Sequence, residues 1–398
     1  MLIKGLRGDG TMIPYGRQSI NQADIDAVVE VLHSQFLTQG PAVPRFEQAI
    51  AAYCGSAYGV AANSATSALH IACLALGVGP GDLVWTSPIT FVASANCALY
   101  CGAEVDFVDI DPRSYNMSAE KLAEKLAVAE RAGRLPKVVI PVHMGGQSCA
   151  MAEFHDLALR YGFRIIEDAS HAIGASYRDA PVGDCRYSDI TVFSFHPVKI
   201  ITTAEGGLAL TNSAELAEAM ALYRSHGVTR DPHRMEREPD GGWYYEQLTL
   251  GYNYRMTDMQ AALGLAQASR LDEFVDRRRS LAKRYDEALT SDLLTLPWQA
   301  PDTLSSYHLY IVRLDGKHSS IGHRAAYDQL REQGIGVNLH YMPVYLQPYY
   351  RRLGFVEGHC PQSERYYSEA ISLPIFAGLT EQEQEQVIRA VGNVVAVA

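Results

Sequence analysis

The sequence contains no apolar run that approaches the roughly 20 residues needed for a membrane-spanning helix. Its opening stretch, MLIKGLRGDGTMIPYG, lacks the apolar core of a secretion signal, so we expect no such signal. Basic residues are also in deficit, because 34 Lys and Arg stand against 45 Asp and Glu, a formal net charge of −11. Proteins that bind nucleic acid present a basic face to the phosphates. We therefore predict neither a membrane nor a nucleic-acid partner.

Cysteine is sparse, with seven residues scattered over a chain of 398. An odd and scattered set is typical of reduced thiols, which favours a cytoplasmic protein over a disulfide-linked secreted one. Cys97 and Cys101 are four residues apart, but no second pair or His close in sequence completes a set of zinc ligands. We therefore predict no metal site.

Apolar residues are plentiful, at 47% of the chain, which excludes disorder as its main state. In the first half, short apolar runs such as 137–142, 163–168 and 190–195 alternate with amphipathic segments such as 151–161. Near-continuous apolar strands indicate a sheet that is covered by helices on both faces. The alternation therefore predicts an α/β fold with a mostly parallel sheet.

The pattern changes near residue 250. A capping box at Thr257 and Gln260 predicts the start of a long helix that runs towards 287. A half-exposed strand at 307–314, a helix at 322–333, a strand at 336–341 and a last helix opened by TEQE at 380–383 are predicted to follow. We divide the chain into a large α/β domain, residues 1–250, and a smaller C-terminal α+β domain, residues 251–398.

Lys199 is the most informative residue of the sequence. It follows an apolar strand in the run SFHPVKIITTAEGG, and its neighbours Val198, Ile200 and Ile201 are apolar. A surface lysine rarely has such neighbours, although composition alone favours a lysine that pairs with a carboxylate or extends to water. Asp168, at the carboxyl end of the strand in IIEDASHAIGA, lies where ligands of open α/β sheets bind.

Two further segments suit a flat, phosphorylated ligand. The small-residue turn NSATSALH (63–70) leads into a predicted helix, and helix N-termini bind phosphate through free N–H groups. Phe91, in SPITFVASAN, is predicted to open a helix and either stacks on a ring or belongs to the core. A lysine, an aspartate, a phosphate turn and an aromatic ring are the groups that pyridoxal phosphate requires.

The order of these motifs resembles the DegT/DnrJ/StrS family of pyridoxal-phosphate sugar aminotransferases. The resemblance extends from IPYGRQSI at 13–20 to SLPIFAGLT at 372–380 and is carried by the motifs NSATSAL, SPITFVASAN, IEDASHAIGA, SFHPVKIITTAEGG and GYNYRMTDMQAALGLAQ. It implies the fold type I aminotransferase architecture. It also implies a homodimer in which the two subunits share their active sites.

The resemblance also implies a role for each candidate residue. Lys199 would form the Schiff base with the cofactor and move the proton, and we expect the pyridinium and other cations to lower its pKa. Asp168 would pair with the pyridine nitrogen, and His171 would lie near the ring. The other matched positions would bind the phosphate or stack on the ring; they are Ala65, Thr66, Phe91, Ser194 and Asn253, the last reaching the partner subunit.

Several of these positions have a purely structural alternative. His171 could be a core histidine, Ser194 could satisfy a strand end, and Asn253 could cap the turn before the Thr257 helix. Ala65 departs from the Gly-Thr pair of many family members, although a backbone N–H can still donate there.

The segment GIGVNLHYMPVYLQPYY (334–350) resembles the pseudaminic-acid branch of the family. That branch transfers an amino group from L-glutamate to C4 of UDP-2-acetamido-2,6-dideoxy-β-L-arabino-hex-4-ulose. Its aromatic residues would face sugar and uridine, or would pack the small lobe. Alternatives are C4 transfer to another UDP- or dTDP-linked 4-keto-6-deoxy sugar, C3 transfer, and a non-catalytic nucleotide-sugar-binding regulator.

Two other classes of enzyme share this cofactor. Sugar 3-dehydratases of the family carry His in place of the lysine, and Lys199 argues against them. Enzymes that act on amino acids use an arginine in the small lobe to bind the substrate carboxylate. Arg313 and Arg324 are the candidates for such an arginine.

Overall fold

The computed structural model describes residues 12–314 and 321–396. The strands in these ranges are β1 (Ile13–Pro14), β2 (Tyr58–Ala62), β3 (Leu83–Thr86), β4 (Glu104–Phe107), β5 (Val138–Ile140), β6 (Arg164–Asp168), β7 (Ser176–Tyr177), β8 (Ala180–Pro181), β9 (Ile190–Ser194), β10 (Gly207–Thr211), β11 (Val228–Thr229), β12 (Glu246–Gln247), β13 (Leu294–Thr295), β14 (Thr303–Leu304), β15 (Tyr310–Leu314), β16 (Ile335–Gly336) and β17 (Ala370–Leu373). The α-helices are α1 (Gln22–His33), α2 (Ala42–Cys54), α3 (Ala65–Ala75), α4 (Ala93–Tyr100), α5 (Ala119–Ala132), α6 (Met151–Tyr161), α7 (Ala214–Arg224), α8 (Asp258–Ala268), α9 (Leu271–Ala288), α10 (His323–Glu332), α11 (Pro348–Arg351), α12 (Pro361–Glu369) and α13 (Glu381–Ala396).

A seven-stranded sheet forms the centre of the molecule, in the order β2-β10-β9-β6-β5-β3-β4. Its strands run parallel except β10, which pairs antiparallel with both β2 and β9. The prediction of an α/β fold with a mostly parallel sheet is therefore confirmed.

Helices cover both faces of this sheet, as the apolar strands predicted. Val138 and Ile140 pack in a cluster with side chains of α3, α4 and α7. Val139, between them, points to the opposite face and packs with α5 and α6. Because successive strand residues alternate in direction, a strand buried on both sides needs an apolar run, and β5 and β9 are such runs.

The predicted long helix from Thr257 is wrong beyond its first turns. The capping box is present, since Thr257 Oγ1 accepts from Gln260 N at 3.2 Å and Gln260 Oε1 accepts from Thr257 N at 2.9 Å. However, α8 ends at Ala268 and α9 begins at Leu271. The Arg270 guanidinium pairs with buried Asp24 on α1 at 2.5 Å, so a tertiary ion pair lies at the break between the two helices.

The small C-terminal sheet, β13-β15-β17, also differs from prediction. Strand β15 is buried rather than half-exposed, because helices and a neighbouring cluster cover both of its faces. The predicted strand at 336–341 is mostly wrong, since β16 contains only Ile335 and Gly336 and pairs with β1 near the N-terminus. Helices α10 and α13 confirm the two predicted helices. The domain boundary between residues 250 and 251 stays a prediction.

Candidate active site

Lys199 follows β9 in a turn, where its backbone N–H donates to His196 O at 2.9 Å. The side chain is half-buried, and desolvation lowers its pKa from 10.5 to about 8 although the Asp168 carboxylate opposes the shift. Burial by itself therefore lowers the pKa of this amine, and the further effect predicted for the pyridinium of the cofactor stays a prediction. An amine with this pKa is neutral often enough to act as a nucleophile or base.

Asp168 is the last residue of β6, next to β9 in the sheet, and its carboxylate acts electrostatically on the Lys199 amine. It is only 4% exposed. Ser94 Oγ, on α4, donates to Oδ2 at 2.6 Å, and Ser170 N donates to Oδ1 at 3.1 Å. These two bonds hold a buried carboxylate at the carboxyl end of the sheet, where it can pair with a protonated ring nitrogen.

The turn before α3 presents backbone N–H groups at the same end of the sheet. Ser64 caps the helix by accepting from Ser67 N at 3.1 Å, so the helix begins at Ala65 and Thr66. Gly207 pairs across the sheet with Ser194, and a Cβ on Gly207 would lie 2.4 Å from Ala65 N. The structure thus brings the three predicted phosphate residues of one subunit together.

Gly207→Ala is expected to weaken binding of the cofactor phosphate by about tenfold or more, because the added methyl displaces the Ala65 amide at a cost of about 1–3 kcal/mol. Titration of cofactor-free protein with pyridoxal phosphate measures the change. Gly79→Ala is the matched control, since a Cβ there meets no atom within 4 Å. Equal affinities of the two variants would contradict this role for the turn.

His171 lies in a buried group of rings beside Lys199. The residue is 5% exposed, and Gly145 N donates to Nδ1 at 3.4 Å while Tyr341 Oη lies 3.3 Å from Nε2. The ring of His308 packs against it with centroids 4.4 Å apart. Desolvation, reinforced by the nearby Lys199 charge, holds the pKa of His171 well below its usual value. A neutral imidazole therefore faces the site.

Phe91 and Asn253 lie at the rim. Phe91 precedes α4 instead of opening it, since the helix begins at Ala93, and it is 59% exposed with its ring 6.4 Å from that of Tyr341. Asn253 is exposed and forms a bridge with Ser225. No hydrogen bond within residues 12–314 and 321–396 joins its side chain to the other candidates, so the role of Asn253 across a subunit interface stays a prediction.

The structure adds Ser94, His308, His340 and Tyr341 to the predicted set. Ser94 could have been found, because it lies one helical turn after Phe91 in a segment already selected. Tyr341 belongs to the segment 334–350 that was assigned to the sugar, and it in fact contacts His171. His340, bonded to Ser372 Oγ at 2.8 Å, and His308 lie in connecting segments remote in sequence, and no local pattern marks them.

The site and fold define a pyridoxal-phosphate enzyme, and comparison with known proteins gives its family. The profile of the DegT/DnrJ/EryC1/StrS aminotransferase family matches residues 18–392, so the chain belongs to this family. It is therefore a pyridoxal-phosphate-dependent sugar aminotransferase. The desolvated lysine, the buried carboxylate and the helix N-terminus that Gly207 leaves unobstructed all fit that cofactor.

Particular relatives are similar along nearly their whole length. The chain is 37% identical to the spore coat polysaccharide biosynthesis protein SpsC of Bacillus subtilis, over 96% of this chain and 97% of SpsC. It is 36% identical to a UDP-4-amino-4,6-dideoxy-N-acetyl-β-L-altrosamine transaminase of Campylobacter jejuni, over 91% and 92% of the two chains. Helicobacter pylori PseC, an aminotransferase of pseudoaminic acid biosynthesis, has the same fold with a TM-score of 0.89 and 30% identity, covering 97% of this chain and 100% of PseC.

The rate at which cofactor-free protein captures pyridoxal phosphate should rise with pH and be half-maximal near pH 8. The amine must lose its proton before it can attack, and its pKa is about 8 instead of 10.5, so the ammonium form slows capture below that pH. Absorbance of the bound cofactor, followed after rapid mixing over a pH series, checks this. A half-maximal pH above about 10, the value of an exposed lysine, would contradict the desolvation.

Proposed function

We propose that this enzyme transfers an amino group from L-glutamate to C4 of a UDP-linked 4-keto-6-deoxy-hexose, as a step of pseudaminic acid biosynthesis. The acceptor is UDP-2-acetamido-2,6-dideoxy-β-L-arabino-hex-4-ulose, and the product is UDP-4-amino-4,6-dideoxy-N-acetyl-β-L-altrosamine. The proposal includes a cytoplasmic homodimer whose sites are completed by Asn253 of the partner subunit. Within the described residues, no helix is long and apolar enough to cross a membrane.

One observation carries the choice of acceptor. The segment 334–350, which resembles the pseudaminic-acid branch, lies at the site, because Tyr341 contacts His171 and lies near Phe91. The Campylobacter relative, similar over most of both chains, bears the name of this transaminase. The exposed ring of Phe91 and the hydroxyl of Tyr341 offer a stacking face and a polar contact at the rim, as a sugar needs.

The chain's own residues account for the chemistry. The cofactor, when bound, carries the amino group and withdraws electrons from the reacting carbon. Asp168, held by Ser94, keeps a proton on a ring nitrogen placed against it. With a pKa of about 8, a large fraction of the Lys199 amine is neutral at that pH, so it can take a proton from the glutamate Cα and return one to the sugar C4. The surrounding neutral rings of His171, His308 and His340 exclude water without adding charge.

An enzyme of amino-acid substrates is less well supported. Arg313 pairs with Glu369 at 3.1 Å and with Tyr115 Oη at 3.2 Å, so both of its contacts are internal. The Arg324 side chain is 94% exposed and pairs with Asp328 on its own helix. Arg313 is therefore engaged by Tyr115 and Glu369, and Arg324 lies on the surface beside Asp328.

A substrate panel tests the proposal directly. Holoenzyme is incubated with L-glutamate and each of several UDP- and dTDP-linked 4-keto-6-deoxy sugars, together with a dTDP-3-keto sugar. We expect the UDP-β-L-arabino acceptor to react with the highest kcat/KM. NMR of the product should show an amine at C4 with the altro configuration. Other 4-keto sugars are included because this chain is as similar to SpsC, a spore coat polysaccharide biosynthesis protein, as to the Campylobacter transaminase. Preferential turnover of the 3-keto sugar, or of a dTDP-linked one, would contradict the proposal.

A further inference from the structure

A cluster of three thiols and one imidazole lies between α3 and α4, outside the candidate site. His70 and Cys73 are one turn apart on α3, and Cys97 and Cys101 are one turn apart at the end of α4. The two helices pack against each other, so residues separated by almost thirty positions in the sequence meet. These residues help to pack the core, but the proposed transamination does not use their thiol and imidazole groups.

The members of this thiol cluster differ in their access to solvent. Cys73 and Cys97 are fully buried, whereas Cys101 is half-buried. Cys73 and Cys97 belong to one buried cluster against which Cys101 packs. Electrostatic interactions couple the Cys101 thiol to the Cys73 thiol and the His70 ring, and couple Cys73 to Cys97. A reagent that enters from solvent therefore meets Cys101 first and finds a second thiol directly behind it.

His70 is a buried base that interacts with the Cys101 thiol. It is 3% exposed, its Nδ1 lies 3.1 Å from Tyr254 Oη, and the rings of Tyr100 and Tyr252 pack around it. Its Nε2 is buried and has no hydrogen-bond partner among the residues that the structure describes. A buried polar atom of this kind is costly unless a partner uses it. The adjacent Cys101 thiol is such a partner, because an imidazole can accept its proton.

The electrostatics of the cluster agree with this geometry. A hydrogen bond from Cys73 and the nearby His70 ring lower the pKa of the Cys101 thiol below its usual value, against the effect of burial. Burial instead raises the pKa of Cys185 to about 12. The thiolate, not the thiol, is the nucleophile, so the two cysteines should differ greatly in reactivity.

We propose that Cys101 is an oxidation site that reacts with hydroperoxides, and that Cys73 is its resolving thiol. The Cys101 thiolate attacks the outer oxygen of the hydroperoxide, the O–O bond breaks, and an alcohol or water leaves after taking a proton. Cys101 is oxidised by two electrons to a sulfenic acid as the peroxide is reduced. The Cys73 thiol then attacks the Cys101 sulfur, loses its proton, and releases water to form a disulfide.

The test uses holoenzyme treated with hydrogen peroxide, followed by peptide mass spectrometry with dimedone as a trap for sulfenic acid. Wild-type protein is expected to form a Cys73–Cys101 disulfide. Cys73→Ser should leave a dimedone-labelled Cys101, and Cys101→Ser should show neither product. Cys101 should react at least about tenfold faster than Cys54 or Cys185, since their thiols are buried and protonated.

Two further variants separate this assignment from a purely structural one. His70→Gln is expected to slow labelling of Cys101 severalfold while far-UV circular dichroism stays unchanged, because the amide can still hydrogen-bond but cannot accept the thiol proton as an imidazole does. Cys185→Ser is the matched control and should leave the disulfide unchanged. Labelling spread evenly over the cysteines, or no modification of Cys101 in folded protein, would overturn the proposal. A Cys97–Cys101 disulfide would overturn the assignment of Cys73. None of these outcomes depends on which sugar is the substrate.

Discussion

Lys199→Arg is expected to lower turnover by about 10³-fold or more and to abolish the borohydride-trapped adduct between protein and cofactor. The guanidinium keeps the length and the charge of the side chain, but it cannot lose its proton. It can therefore neither attack the cofactor aldehyde nor act as the base, steps that together contribute several orders of magnitude. Lys199 is suited to both because desolvation brings the pKa of its amine to about 8.

Reduction with borohydride followed by peptide mapping measures the adduct independently of turnover. In wild-type protein the modified peptide should contain Lys199. Lys283→Arg, at an exposed position on α9 where the side chain is 79% accessible, is the control and should behave as wild type. An adduct at another lysine in wild type, or a trapped adduct that persists in Lys199→Arg, would contradict the assignment of this residue.

The sheet and its ligand end could be predicted because their signals are local. Apolar runs mark strands buried on both faces, and Asp168 and Lys199 follow two of them, β6 and β9. Since these strands are neighbours and parallel, their carboxyl ends meet and the two side chains approach each other. The phosphate turn was predicted from the small residues before α3. The close approach of Gly207 to the Ala65 amide was not predicted, because the two residues are far apart in the sequence.

Features that depend on distant contacts could not be predicted in this way. The pattern from Thr257 reads as one helix, and the break lies where Arg270 pairs with Asp24, far away in the sequence. The run at 336–341 has strand-like residues, yet its side chains bond to Ser372 and pack on His171. Likewise Cys97 and Cys101 showed no histidine near them in sequence, although His70 lies next to Cys101 in the structure.

Asp168→Asn should lower the activity and Glu167→Gln should lower the stability, although the two residues are adjacent. On a strand, successive side chains point to opposite faces. Glu167 accepts from Thr191 Oγ1 at 3.1 Å and pairs with buried His143 at 2.6 Å, away from the site. Asp168 faces Lys199 instead. The Glu167 carboxylate therefore stabilises the fold, and the Asp168 carboxylate serves the cofactor.

Asp168→Asn is expected to reduce kcat by about 10²-fold or more, because the isosteric amide keeps the contact with Ser94 but cannot hold a proton on the ring nitrogen. Its Tm should stay close to that of wild type. Glu167→Gln should retain most activity at low temperature but lose about 3 kcal/mol of stability, since it leaves His143 without a charged partner. Thermal unfolding and steady-state kinetics on both variants measure the split. If Asp168→Asn lost stability while keeping its turnover, the carboxylate would be structural and the cofactor would need another partner.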